Sequence, residues 1–294
     1  MEKICSPLDS LYDFTIRPDY IPSKSSPFYA EYFWNLLKSS KSELNHFISL
    51  ITPLALQSIS SSELNEVNNY FFSNNSVTEL NLVLIRNTVS HEIEGFLIYI
   101  TFIEFFLPNN TTKENEYCVL SAFALANKNI RNKGIFELFS DLYIYPYCIK
   151  NIGKNCVFFD VALNPASYKN ITRNFILFPS YYRQVPRLVE DFMLKLMKKH
   201  NYERISDEKP YVVKNAGLID LDTEYWRKNY ERLSNDIKFF IDQTELKPGY
   251  SLLFFSYTTL LQGNTLGLPC TQYYLKKKLP EILVKEFHFE SPKL

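Results

Sequence analysis

Hydrophobic and polar positions change period twice along this chain. In residues 26–56, Phe28, Tyr32, Phe33, Leu36 and Leu37 recur near helical spacing, and Pro27 suits a first turn, so this stretch is expected to be mostly helical. Ser60-Ser61-Ser62-Glu63 has the form of a capping signal and predicts a short helix through Phe72. Residues 79–86, 95–107 and 117–125 are then rich in Ile, Leu, Val, Phe and Tyr, with polar turns between them. Three successive strands joined by hairpins are the simplest account.

From Asn127 onward, helical and extended patterns alternate. Ile135, Leu138, Phe139 and Leu142 fall at i, i+3, i+4 and i+7 in a helix opened by Gly134. Residues 155–163 read as a strand. Pro186 begins an amphipathic helix that buries Leu188, Val189, Phe192 and Leu196, with Lys198-Lys199-His200 at its negative end. Residues 211–213 predict a strand, Asp222 caps a helix running toward Phe240, residues 250–260 predict a strand, and Lys276 starts a helical tail. The expected class is α/β with mixed α+β character: a central mixed sheet flanked by helices, with extra helices at the N-terminus. The expected organisation is an N-terminal helical segment over 1–78, a core over 79–270 and a C-terminal helical tail over 271–294.

Composition narrows the function classes. With 46% hydrophobic and 22% charged residues in 294, the chain has ample apolar area for a packed core and is not a disordered sequence. Lys plus Arg and Asp plus Glu are both 32, so the net charge is zero and the basic excess of a general nucleic-acid binder is missing. No nucleic-acid partner is expected. Tyr and Phe number 21 and 24, so aromatic packing dominates the core. The five cysteines are widely spaced with no C-x-x-C, and the four histidines form no ligand pattern, so neither a disulfide framework nor a metal site is expected. Residues 95–107 are the most apolar stretch and fall short of the ~18–20 residues of a membrane span. Without an apolar leader, the expected location is the cytoplasm, or outside it by export without a cleaved signal. Abundant Asn, Lys, Ile, Tyr and Phe match AT-rich coding, a composition shared by bacterial effectors.

Chemistry concentrates where the predicted strand over 118–125 runs through Ala126 into Asn127-Lys128-Asn129-Ile130-Arg131-Asn132-Lys133-Gly134-Ile135-Phe136 and a helix. Unpaired N–H groups at a helix N-terminus, with Lys128, Arg131 and Lys133 beside them, suit a phosphate. In a chain with only seven glycines, Gly134 lets a bulky anion approach the backbone. The segment is neither a Walker loop nor a dinucleotide fingerprint.

Arg131-Asn132-Lys133-Gly134-Ile135-Phe136 resembles the acyl-CoA pyrophosphate loop of the GNAT superfamily of acetyltransferases, [QR]-x-x-G-x-[GA], between the fourth strand and third helix. The similarity covers residues 79–202, and reaches residue 260 by element order. It departs at Phe136, where the family has a small residue, and at Ile171, where the family often has a Tyr acid seven residues beyond Asn164.

The resemblance implies a sheet whose fourth and fifth strands splay apart, with the pantetheine arm of acetyl-CoA or another acyl-CoA held like an added strand by residues 120–126. It implies cofactor contacts from Ala126, Arg131, Asn132, Lys133, Gly134, Ile135 and Phe136. It also implies that Asn164 contacts pantetheine or opens the next helix. A small-molecule or protein amine would attack the thioester directly. The base would be a carboxylate or a water relay near that gap: Glu104 first among the carboxylates, with Glu116 and Asp160 as alternatives. Tyr168, or else Tyr181 or Tyr182, would supply the acid. Residues 178–186, aromatic and bounded by prolines, would help form the acceptor pocket. Two other readings stand beside this one: an inactive GNAT-like module that binds a partner protein, and an unrelated α/β enzyme whose basic turn holds a nucleotide phosphate.

Overall fold

The computed structural model describes residues 28–33, 35–107, 114–130, 154–175, 177–214 and 223–257. Among these residues eight strands form one sheet: β1 (Phe28–Phe33), β2 (Val77–Asn87), β3 (Ile93–Phe106), β4 (Asn115–Ala126), β5 (Asn155–Ala162), β6 (Glu203–Arg204), β7 (Val212–Lys214) and β8 (Tyr250–Tyr257), in the order β1-β2-β3-β4-β5-β8-β7-β6. Every neighbouring pair is antiparallel except β4 and β5, which run parallel. The fold is the mixed, helix-flanked sheet expected from the alternation of periods.

Helices cover both faces. α1 (Lys41–Ala55), α2 (Ser61–Phe72) and α4 (Arg187–Lys199) lie on one side, burying Phe47, Ile51, Leu64, Phe71, Phe192 and Leu196 against Leu82, Ile98, Val119, Val157 and Phe255. α3 (Pro165–Asn174) and α6 (Asn235–Thr244) lie on the other, packing Tyr168, Ile237 and Phe240 with Leu97, Leu120, Phe158 and Phe254. Strand alternation sorts the residues. In β4, Tyr117, Val119, Phe123 and Leu125 face α1, α2 and α4, whereas Cys118, Leu120 and Ala126 face α3 and α6. With both faces covered, the central strands become the near-continuous apolar runs visible in the sequence.

The N-terminal expectation needs correction. Residues 28–33 are a strand paired with β2, from Phe28 opposite Asn87 to Phe33 opposite Leu82. The helical spacing of Phe28, Tyr32 and Phe33 was coincidental, because the exposed edge of β2 offered these backbone groups a ladder. A 3-10 turn, Leu36–Lys38, follows, and α1 starts only at Lys41. Ser40 and Glu43 form a reciprocal capping box there, as Ser60 and Glu63 do for α2.

The helix expected to run from Asp222 to Phe240 is also divided. α5 (Thr223–Lys228) gives way to a 3-10 turn, Tyr230–Arg232, and α6 restarts after Ser234 with Asp236 in its first turn. Leu233 is extended, at φ −78 and ψ 155, so the helical ladder cannot pass through it. Asp222, the helix opened by Gly134, residues 258–260 of the last strand and the C-terminal tail lie outside the described residues.

Candidate functional site

The parallel pairing of β4 and β5 lasts for four positions, from Tyr117 opposite Asn155 to Leu120 opposite Phe158. Both strands continue beyond it, β4 to Ala126 and β5 to Ala162. Each keeps its other partner to the end: Ala126 of β4 pairs with Gly95 of β3, and Ala162 of β5 pairs with Leu252 of β8. The sheet therefore forks between residues 121–126 and 159–162. Along the fork, backbone groups that would normally satisfy a neighbouring strand face the gap.

Asp160 sits at the vertex. Its Oδ2 accepts the backbone N–H of Ala122 at 2.6 Å and the Ser121 hydroxyl at 3.2 Å, and its Oδ1 accepts the N–H of Val161 at 2.8 Å. The side chain takes the place of the missing strand for one donor. Backbone alternation turns the N–H and C=O of Ala124 to the same edge as those of Ala122. Strand rise places this second donor about 7 Å further along.

Burial pushes the Asp160 carboxyl up to about 7, against the opposing pull of the hydrogen bonds from Ala122, Val161 and Ser121. Among the described residues no Lys, Arg or His forms an ion pair with it. A polar cluster lies beside it on the α2 and α4 side of the sheet. The Tyr70 hydroxyl and His200 Nδ1 are 3.3 Å apart. Burial raises the phenols of Tyr70 and Tyr202, and the Asp160 charge adds to both shifts. Burial, with Lys199 nearby, holds the His200 imidazole down at about 4, so it is neutral at pH 7.

The other residues singled out in the sequence have different places. Glu104 is buried at 3% exposure on β3, opposite Tyr117 at the fully paired end of the sheet, and forms an ion pair with Lys199 of α4. Three paired rungs lie between Tyr117 and Ser121, so Glu104 is not brought to the fork. Tyr168 is fully buried between α3 and α6, and its hydroxyl donates to the Pro179 carbonyl at 2.8 Å. That bond occupies its proton, and burial raises the phenol far above its ordinary range. Asn164 caps α3, its Oδ1 accepting the N–H of Ser167 at 2.8 Å, with Pro165 at the first helical position. It thus opens the next helix. Ala126 ends β4, and Asn127 anchors the chain beyond it by donating its N–H to the Glu94 carbonyl at 2.7 Å. Arg131, Asn132, Lys133, Gly134, Ile135 and Phe136 lie outside the described residues.

Glu116 lies at the start of β4, opposite Phe105, at the end of the strand away from the fork. Tyr181 and Tyr182 are exposed, and Tyr182 accepts from Asn235 Nδ2 at 3.1 Å.

Ser121, Ala122 and the Tyr70–His200–Tyr202 cluster are not legible in the sequence as parts of one site. A signal existed: Ser121 and Asp160 are the polar interruptions in the apolar runs 117–126 and 156–162 of these two strands. An open groove between β1 and α1, lined by Glu31, Phe33, Glu43, His46 and Arg86, lies elsewhere, and its Glu31 and Arg86 already pair at 2.6 Å. Among the described residues no cluster of His, Cys, Asp and Glu could hold a metal ion, and no helix is long and apolar enough to cross a membrane.

No family model matches this sequence, and no curated protein matches it. Solved structures do share similarity. A conserved Enterococcus faecalis V583 protein of unknown function aligns with 49% of this chain and only 31% of its own, at 10% identity and a TM-score of 0.31. A mutant of the AtaT toxin, bound to the C-terminus of its antitoxin AtaR and acetyl-CoA, aligns with 58% of this chain and 99% of its own, at 13% identity and a TM-score of 0.29. The aminoglycoside 6'-N-acetyltransferase AAC(6')-IG of Acinetobacter haemolyticus aligns with 60% of this chain and 93% of its own, at 10% identity and a TM-score of 0.22.

Proposed function

We propose that this protein is an acyltransferase that moves an acetyl or other short acyl group from acyl-CoA to an amine by direct attack, in the manner of the GNAT superfamily. The observation that carries this reading is the fork: two parallel strands that pair for four positions and then part, each still held on its far side. A slender amide-bearing arm fits such a gap as an added strand, its amides meeting the edge groups of Ala124. The diphosphate is assigned to residues 131–136, on the motif alone. Asn164 serves this arrangement indirectly, by fixing the start of α3 just beyond β5.

In this mechanism the protein orients rather than reacts. An N–H on the β4 edge polarises the acyl carbonyl, and the strands hold the thioester at a fixed angle to the incoming nitrogen. The nitrogen lone pair forms the new C–N bond, and the C–S bond breaks with its electron pair on sulfur. Glu104 and Tyr168 are engaged with Lys199 and Pro179, so proton transfer is assigned to another group below.

Ligand-dependent thermal unfolding tests the reading. Acetyl-CoA at 100-fold over its dissociation constant stabilises by about 2.7 kcal/mol, which raises Tm by several degrees. Arg131→Glu with Gly134→Asp removes the shift. Folded wild-type protein that shows no shift at millimolar acetyl-CoA overturns the proposal.

A second reading, an inactive module of the same fold that binds a partner protein, is favoured by one contact. The first donor on the fork, the Ala122 N–H, is already occupied by Asp160. Absence of CoA release with a broad panel of amines, despite acetyl-CoA binding, selects this alternative.

A further inference from the structure

We propose that the vertex of the β4–β5 fork is the acceptor site for an alkylamine, where the Asp160 carboxylate receives the ammonium and accepts a proton from it. This deepens the acyltransferase reading and rests on it for the direction of the chemistry.

A carboxylate offers roughly four lone-pair sites. Among the described residues three donors reach Asp160: the Ala122 N–H and Ser121 hydroxyl at Oδ2, and the Val161 N–H at Oδ1. One lone pair on Oδ1 is left to accept a further N–H.

Charge gives the same answer. A buried carboxylate is ordinarily paired with a cation or neutralised, because desolvating an isolated charge is costly. Among the described residues the groups facing Asp160 carry no positive charge: Tyr70 comes from α2, Tyr202 follows α4, and β8 places Phe254 opposite. His200 beside Tyr70 is held neutral by burial. A ligand ammonium supplies the missing counter-ion. The raised carboxyl, at about 7, is also matched to proton acceptance near neutral pH.

Asp160 marks the vertex, and the next edge donor, Ala124, lies about 7 Å along the strand. With the acyl carbonyl on Ala124, the amine nitrogen is placed between the acyl carbon and Asp160. The ammonium gives one proton to Asp160 Oδ1, and the freed lone pair attacks the acyl carbon. On collapse the C–S bond breaks toward sulfur. Of the two protons the nitrogen loses, one ends on the CoA thiolate and one reaches solvent, leaving the amide and free CoA.

The test is a titration of the wild-type protein labelled with ¹³C at Asp carboxyls, the Asp160 resonance being assigned by Asp160→Asn. Benzylammonium chloride is expected to lower the Asp160 midpoint by at least one pH unit, while benzyl alcohol leaves it in place. Asp160→Asn is expected to bind acetyl-CoA within twofold of wild type and, with benzylamine as acceptor, to release CoA from acetyl-CoA at least 100-fold more slowly. A midpoint indifferent to benzylammonium, or wild-type turnover by Asp160→Asn, overturns the inference. If Asp160→Asn does not fold, Ser121→Ala assigns the resonance through its shift, and the wild-type titration decides alone. Failure of the wild type to bind acetyl-CoA overturns the acyltransferase reading instead, and the benzylammonium titration is independent of it.

Discussion

Asp160 accepts the backbone N–H of Ala122 at 2.6 Å where the last rung of the β4–β5 ladder gives out. A side chain there replaces a strand, and the replacement is a buried acid. The consequences reach stability as well as chemistry.

Asp160 and His200 impose opposite pH slopes on stability. Folded Asp160 keeps its proton up to about 7, whereas an unfolded Asp loses it near 4. Between those values the folded state binds the extra proton, so stability falls as pH rises, by about 1.4 kcal/mol per unit. His200 behaves conversely. The unfolded imidazole is protonated below about 6.5 and the folded one only below about 4, so stability rises with pH across that window at a similar slope. The two effects offset each other between about pH 4 and 6.5. Relative to wild type, Asp160→Asn should therefore gain stability as pH rises through this window, and His200→Gln should lose it. Urea unfolding at pH 4.5, 5.5 and 6.5 measures both differences, and pH-independent differences would refute the assignment.

Glu104 is expected to act through stability rather than turnover. It is buried, and its cation, Lys199, is 40% exposed. Lys199→Ala strands the carboxylate and should cost about 2 kcal/mol, below the range for a fully buried pair because Lys199 is partly solvated. Glu104→Gln in the same chain should recover part of that loss, since an amide needs no counter-ion. Denaturant midpoints of the single and double variants read the coupling.

Tyr168→Phe separates structure from catalysis. The change leaves the Pro179 carbonyl without its donor and should destabilise by about 1–2 kcal/mol. CoA release should stay within threefold of wild type, because the hydroxyl is spent on that carbonyl. A loss of 100-fold in turnover with an unchanged Tm would restore Tyr168 as the acid.

The capping boxes give a prediction independent of function. Ser60→Ala removes the acceptor for the Glu63 N–H at the start of α2, and Ser40→Ala does the same for the Glu43 N–H of α1. Each should cost about 1 kcal/mol, and together they should add, because the two helix starts share no hydrogen bond. Thermal melts of the three variants test this.

What the sequence determined by itself is local. The apolar runs of β2 through β5 were legible because a strand buried on both faces must be apolar at nearly every position. Ser60 with Glu63, and Asn164 with Pro165, marked their helix starts through bonds that close within three residues. Only the tertiary structure decided the rest. Residues 28–33 became a strand because the edge of β2, some fifty residues away, needed a partner. The fork exists because β4 and β5 are held apart by β3 and β8, and no local pattern encodes which rung is the last. Asp160 reads in sequence as one acid in an apolar run. Its meeting with Ala122, 38 positions earlier, depends on a register that long-range pairing alone can set.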